Sequence, residues 1–108
     1  MSTPYVSTLG IKTATGATDF TALAQQDNVA FQVTVASIGT SVTIRLEGSL
    51  DNTNYFNLNT SGDIVLSANG TTGYVVVQAP IAYVRCNLIT ITGGTPTVTF
   101  KVALSTAV

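Results

Sequence analysis

Residues 29–50 read VAFQVTVASIGTSVTIRLEGSL, and a period of two runs through both halves of the stretch. In the first half Val29, Phe31, Val33 and Val35 share one parity, against Ala30, Gln32 and Thr34 on the other. In the second, Val42, Ile44, Leu46, Gly48 and Leu50 share one parity, against Thr43, Arg45, Glu47 and Ser49. Extended backbone sends successive side chains to opposite faces, so this alternation describes strands with one face buried and one in water. Between the halves, Ile38-Gly39-Thr40-Ser41 predicts a hairpin turn. The stretch TVTFKVALS repeats the scheme, with Val98, Phe100, Val102 and Leu104 inward. β-branched residues and Thr, which suit a pleated surface, fill these segments.

Working outward, turn chemistry separates further short runs. Asp51-Asn52-Thr53-Asn54 closes the next hairpin, where Asp and Asn side chains bond back to the turn backbone and tolerate left-handed angles. Ser61-Gly62-Asp63 follows, and Asn69-Gly70 predicts a type I′ hairpin within IVLSANGTTGYVVVQ. Gly93-Gly94-Thr95-Pro96 stands ahead of the last strand. In IAYVRCNLITIT, Ala82, Val84, Cys86 and Leu88 alternate, but Ile89 and Ile91 take the opposite parity, which predicts a bulge near Leu88. Residues 12–28 read two ways: Phe20, Leu23 and Ala24 have helical spacing behind Asp19, and DFTALA also fits a short strand. Strand or irregular structure is the preferred reading. Together these segments predict an all-β fold, an antiparallel β-sandwich of about eight strands, jelly-roll or immunoglobulin-like in topology. Residues 1–15 form an N-terminal arm or first strand, and 16–108 a single sandwich domain.

The bulk numbers bound what such a domain does. The chain has 108 residues, 45% of them hydrophobic, enough for one core without staples. Only 8% are charged, against roughly 25% in ordinary soluble domains. The surface polarity therefore comes from Thr, Ser, Asn and Gly. The net charge is −1, and the four basic residues, Lys12, Arg45, Arg85 and Lys101, are scattered; a nucleic-acid groove needs clustered cations. No apolar run has the length of a membrane span, and the first ten residues lack the pattern of a secretory signal.

With no histidine, Ser-His and Cys-His nucleophiles and His-containing zinc sites are excluded. The single cysteine, Cys86, sits at an inward parity and reads as core. Glu47 and Asp51 are the nearest acids in sequence, but nothing converges on them as a catalytic pair would require. Asp51-Asn52-Thr53-Asn54 is rich in oxygen, yet it fails the EF-hand spacing, with Tyr55 and Gly62 at ligand positions; another ion geometry or a glycan contact stays open. The expectation is a protein that is no enzyme and has no cofactor, no metal, no nucleic-acid partner and no membrane partner. Tyr55 and Phe56 are adjacent and face opposite ways, so one of them is available to stack on a sugar or a neighbour. Arg45, Glu47 and Arg85 share the outward parity and predict a cross-strand ion pair, worth under about 1 kcal/mol if exposed. Two lysines and three prolines are few to guard the edges of so many strands. Low charge also leaves little repulsion between copies, so the domain is expected to work in a permanent assembly.

The stretches NVAFQVTV, SVTIRLEGSLDNTNYFNL and APIAYVRCNLITITGGTPTVTFKVAL resemble a pattern of small tailed-bacteriophage virion proteins. There an alternating strand ends in Glu-Gly-Ser-Leu-Asp-Gly-Thr-Asn and an aromatic, a Tyr-Val-Arg strand follows, and Gly-Gly precedes a last alternating strand. The resemblance covers residues 28–104 and departs at Asn52, where Gly is frequent, and at Tyr55, where Trp is common. It implies a capsid decoration, or cement, protein: a homotrimer on the outer capsid surface of the virion that bridges adjacent major capsid subunits. It also implies that the arm carrying Tyr5 lies along the capsid or a neighbouring subunit. Candidate interaction residues are Tyr5, Arg45, Glu47, Asp51, Asn54, Tyr55 and Arg85. The alternatives are another virion component (tail, neck or fibre-associated) and a carbohydrate-binding sandwich.

Overall fold

Two long strands organise the chain, β4 at Asn28–Ser49 and β8 at Tyr83–Ser105, of 22 and 23 residues. The computed structural model describes residues 5–23, 28–59, 62–76 and 81–105. The other strands are β1 at Tyr5–Lys12, β2 at Gly16–Ala17, β3 at Thr21–Ala22, β5 at Tyr55–Asn57, β6 at Ile64–Leu66 and β7 at Gly70–Val76. All pairings are antiparallel, and the described residues contain no helix. The all-β, antiparallel expectation and the strand number of about eight therefore hold, while the strands hydrogen-bond as one open sheet rather than as two separate ones.

β4 and β8 pair with each other from Asn28↔Ser105 to Ser49↔Tyr83. The ladder is interrupted near Ile38–Ser41, opposite Gly94 and Thr92, and this bend divides the sheet into two arms. The first arm runs β1, the end of β8, the start of β4, then β7. In the second arm the same two strands are flanked by β2 and β3 on one side and by β5 and β6 on the other. Val29, Phe31, Val33, Val35, Val98, Phe100, Val102 and Leu104 from the first arm are buried in one cluster with Val42, Ile44, Leu46, Val84, Cys86 and Leu88 from the second. Among the described residues no helix covers either arm, and the two arms bury their inner faces in that shared cluster.

Three sequence expectations are corrected here. Ile38–Ser41 makes no hairpin: the chain continues in the same strand past Ser37, which takes a left-handed φ of 57°, while Gly93 and Gly94 opposite take 71° and 65°. A Cβ on Gly39 would stand 2.4 Å from the Gly93 carbonyl carbon, so the two strands cross the bend in backbone contact that only glycine allows. Asn69-Gly70 makes no hairpin either. β6 pairs with Val42–Ile44 and β7 with Val29–Val35, so residues 64–76 run along β4 and step across its bend. There Asn69 Oδ1 accepts the Ile38 N–H at 2.9 Å. Leu50, placed inward by parity, is 67% exposed, because it lies one residue beyond the end of β4. The bulge expected near Leu88 is present, since the register jumps from Thr43↔Thr90 to Ile44↔Leu88 and leaves Ile89 over. Between the end of β1 at Lys12 and the start of β4 at Asn28, the described residues hold only the two-residue strands β2 and β3. Ala24, Thr60, Ser61 and Pro80 lie outside the described residues.

Candidate functional site

The outward face of the second arm gathers most of the polar candidates, and the register explains why. Glu47 lies directly across from Arg85 on β8 and from Asn57 on β5, and Ser49 directly across from Tyr83 and Tyr55. Residues opposite each other in a ladder share a face, so the β4–β5 turn brings Tyr55 and Asn57 beside Glu47, and β8 brings Arg85 and Asn87.

Glu47 is the centre. Its side chain is 5% exposed, and Arg85 Nε donates to Oε1 at 2.7 Å. Arg45 Nη1 lies 3.8 Å from Oε2, and Asn87 Nδ2 lies at 3.5 Å from the same oxygen. The Arg85 guanidinium carbon stands 3.8 Å from the centre of the Tyr55 ring, a cation–π stack that also caps the ion pair. The Tyr55 hydroxyl donates to Asn52 Oδ1, and burial raises its pKa above the usual phenol value. The cross-strand pair is present with its carboxylate buried and Arg85 29% exposed, because the aromatic ring and the second arginine cover Glu47.

Beside it, Arg45 grips Asp63 through two bonds, Nε to Oδ1 at 2.8 Å and Nη2 to Oδ2 at 3.1 Å. Asn57 Nδ2 adds a third donor to Asp63 Oδ1 at 3.0 Å. Hydrogen bonding from Arg45 holds the Asp63 carboxyl below the usual carboxylate range. Asp63 was not among the sequence candidates; an acid behind Gly62 carried no strand parity to place it.

The 51–54 turn is built on Asp51. Its Oδ1 accepts from the Thr53 N–H at 2.9 Å, the Asn54 N–H at 2.8 Å and the Ser49 hydroxyl at 3.0 Å. Its Oδ2 accepts from Asn54 Nδ2 at 2.9 Å. The two backbone donors at Asn54 and Thr53 push the Asp51 pKa far down. Ser49 Oγ, wholly buried, accepts the Asp51 and Asn52 N–H groups, and Asn52 takes a left-handed φ of 61°. Asp51 and Asn54 therefore close the turn upon itself, and both carboxylate oxygens already serve donors of the same loop.

The structure brings Arg45, Glu47, Tyr55 and Arg85 together, sets Asp51 and Asn54 at the adjoining turn, and leaves Tyr5 apart at the start of β1, paired with Leu104. Phe56 is 48% exposed on the opposite side from Tyr55. The one cysteine, Cys86, is buried, and burial raises its thiol pKa strongly. Among the described residues no three His, Cys, Asp or Glu side chains are grouped as a metal would need. On this sheet face the charges are paired within the chain, Arg85 with Glu47 and Arg45 with Asp63.

No protein-family model matches the chain, and no curated protein matches it in sequence. Among solved structures it is similar to the crystal structure of the SPBc2 prophage-derived protein YomS, with a TM-score of 0.64 and 14% identity over 96% of each chain. A second likeness is to a chain from the structure of Bacillus endospore appendages that form disulfide-linked pili, with a TM-score of 0.46 and 10% identity over 98% of this chain and 93% of that one. At such identities the likeness to YomS is one of fold, and it runs over nearly the whole of both chains.

Proposed function

We propose that the protein is a structural component of a phage virion, a decoration protein that sits on the outer capsid surface and bridges adjacent major capsid subunits, without enzymatic turnover. The observation that carries this reading is the end-to-end fold likeness to a prophage-derived protein, taken with the virion-protein pattern in residues 28–104. The Arg85–Glu47 and Arg45–Asp63 pairs support it, since they stiffen the sheet face that holds them and leave those charges engaged within the chain. A protein bound across a seam between subunits must be released before they part, so its binding free energy adds to the barrier against rupture. An interface of standard size, about 1,600 Å², supplies such binding without any reactive group. Copies of the chain associate with one another at these positions, as the resemblance to trimeric cement proteins implies.

Cryo-electron microscopy of virions that contain the chain tests the reading. The expected result is density of this size at threefold or quasi-threefold positions outside the capsid, with particles lacking the protein breaking at lower temperature or milder osmotic shock. Density on the tail or neck reassigns it to another virion component, and unchanged resistance of stripped particles removes the cement role.

A further inference from the structure

The two arms of the sheet treat their edges differently. The second arm ends in strands of two or three residues, β2, β3, β5 and β6. Short edges offer little backbone to an incoming strand. The first arm ends in β1 and β7, of 8 and 7 residues; β1 carries one bulge at Leu9, between Thr8 and Gly10, and each strand pairs on one side alone among the described residues. Neither contains proline, and the one charge on either is Lys12, at the far end of β1. Even that charge is turned back, with Nζ donating to the Ala17 carbonyl at 3.4 Å. On β1, Val6 and Ile11 are 62% and 64% exposed. Long strands without proline or outward charge are what free proteins avoid and what strand addition uses.

Direction decides which partner fits. Each step from β1 to β8, β4 and β7 is antiparallel, so β1 and β7 themselves run in opposite senses. A second copy in the same orientation, set beside the first, therefore lays its β1 antiparallel to the first copy's β7 and continues the ladder. Pairing β1 with another β1 would satisfy one edge and leave the seven-residue β7 bare, whereas β1 on β7 uses both. We infer that copies of this chain join head to tail, β1 of one against β7 of the next, in a heterologous contact that forms a ring where its rotation closes. The inference rests on the self-association within the proposed function, not on the capsid site, and it names the surface through which copies meet.

Two edge variants of the full chain test it, Val6→Lys/Ile11→Lys on β1 and Thr72→Lys/Gly73→Lys on β7, with Val65→Lys on β6 as a control. A Cβ at Gly73 meets only the Phe31 carbonyl, at 3.8 Å, so that position accepts a side chain; circular dichroism checks that each variant folds. By analytical ultracentrifugation the parent chain and the control associate. Each edge variant alone associates at least tenfold more weakly, and a one-to-one mixture of the two gives a dimer with one blocked edge at either end. Hydrogen exchange on the parent chain reads the same contact without substitution, with amides of both β1 and β7 slowing as concentration rises. A parent chain that associates with both edge variants unimpaired, or slowing at one edge alone, overturns the edge contact while leaving self-association intact. A parent chain monomeric at every concentration overturns both, with capsid binding judged separately by microscopy.

Discussion

Glu47 has the outward parity in the sequence, yet its side chain is 5% exposed. Parity was legible from VTIRLEGS; burial was not, because it depends on Tyr55 arriving around the turn and on Arg85 arriving from 38 residues away. Removing one partner of a buried ion pair leaves a charge unmatched and costs about 3–5 kcal/mol. Arg85 is 29% exposed, so water offsets part of this. Glu47→Ala and Arg85→Ala are each expected to lose roughly 2–3 kcal/mol in urea unfolding, with a double-mutant coupling above about 1 kcal/mol. Asp51 gives a pH prediction. Its folded-state pKa is depressed by backbone donors at Asn54 and Thr53, so its contribution is fully present above the unfolded carboxylate value of about 4 and is lost as pH falls from there toward the folded value. The unfolding midpoint of the parent chain should exceed that of Asp51→Asn by a constant amount from pH 7 to about 5, and the gap should shrink as the pH falls toward 2. Asp63 shifts in the same direction through Arg45, but both proteins share it, so it drops out of the difference. A gap independent of pH would detach the turn's stability from the Asp51 charge.

At the scale of elements, strand faces were readable and strand ends were not. Val29 to Val35 and Val42 to Leu46 fall on the buried face, as their alternation requires. Ile38-Gly39-Thr40-Ser41 looked like a turn because a turn and a bend both call for small residues between two periodic runs. What distinguishes them is Gly94 standing opposite Ile38, a pairing between residues far apart in the chain that no local pattern contains. Asn69-Gly70 misled for the same reason: its side chain serves the bend of β4 and not a turn of its own. The bend yields its own prediction. A methyl on Gly39 would meet the Gly93 carbonyl carbon and oxygen at 2.4 and 2.5 Å, and backbone atoms on a paired strand cannot swing aside as a flexible side chain does. Gly39→Ala is expected to cost about 3 kcal/mol or more, or to abolish folding. Gly73→Ala, which meets nothing closer than 3.8 Å, should stay within about 0.5 kcal/mol. Equal losses at both positions, by thermal unfolding, would show that the close crossing is not what fixes the bend.

The whole molecule has one core served by two arms, and each arm is made largely from the two strands that also make the other. Val29 and Val42 lie on one continuous strand, Val84 and Val98 on another, and all four are buried in the same cluster. Neither arm can bury its inner face while the other is open, so they cannot melt in turn. β1 joins the sheet at its edge by pairing Tyr5 with Leu104, near opposite ends of the described chain, which places much of the stabilising contact at long sequence separation. A topology of that kind has to close large loops before its contacts form, which puts folding in the millisecond-to-second range rather than in microseconds. We expect a single calorimetric transition whose van't Hoff and calorimetric enthalpies agree, and a slow single-exponential refolding phase after dilution from urea. Both are to be measured at low protein concentration, since any association would add its own stabilisation. Two resolved transitions, or hydrogen exchange showing β1 and β7 open while β5 and β6 remain fully protected at the global limit, would mean that the arms are separate units and that the bend at Gly39 is a hinge rather than a fold in one sheet.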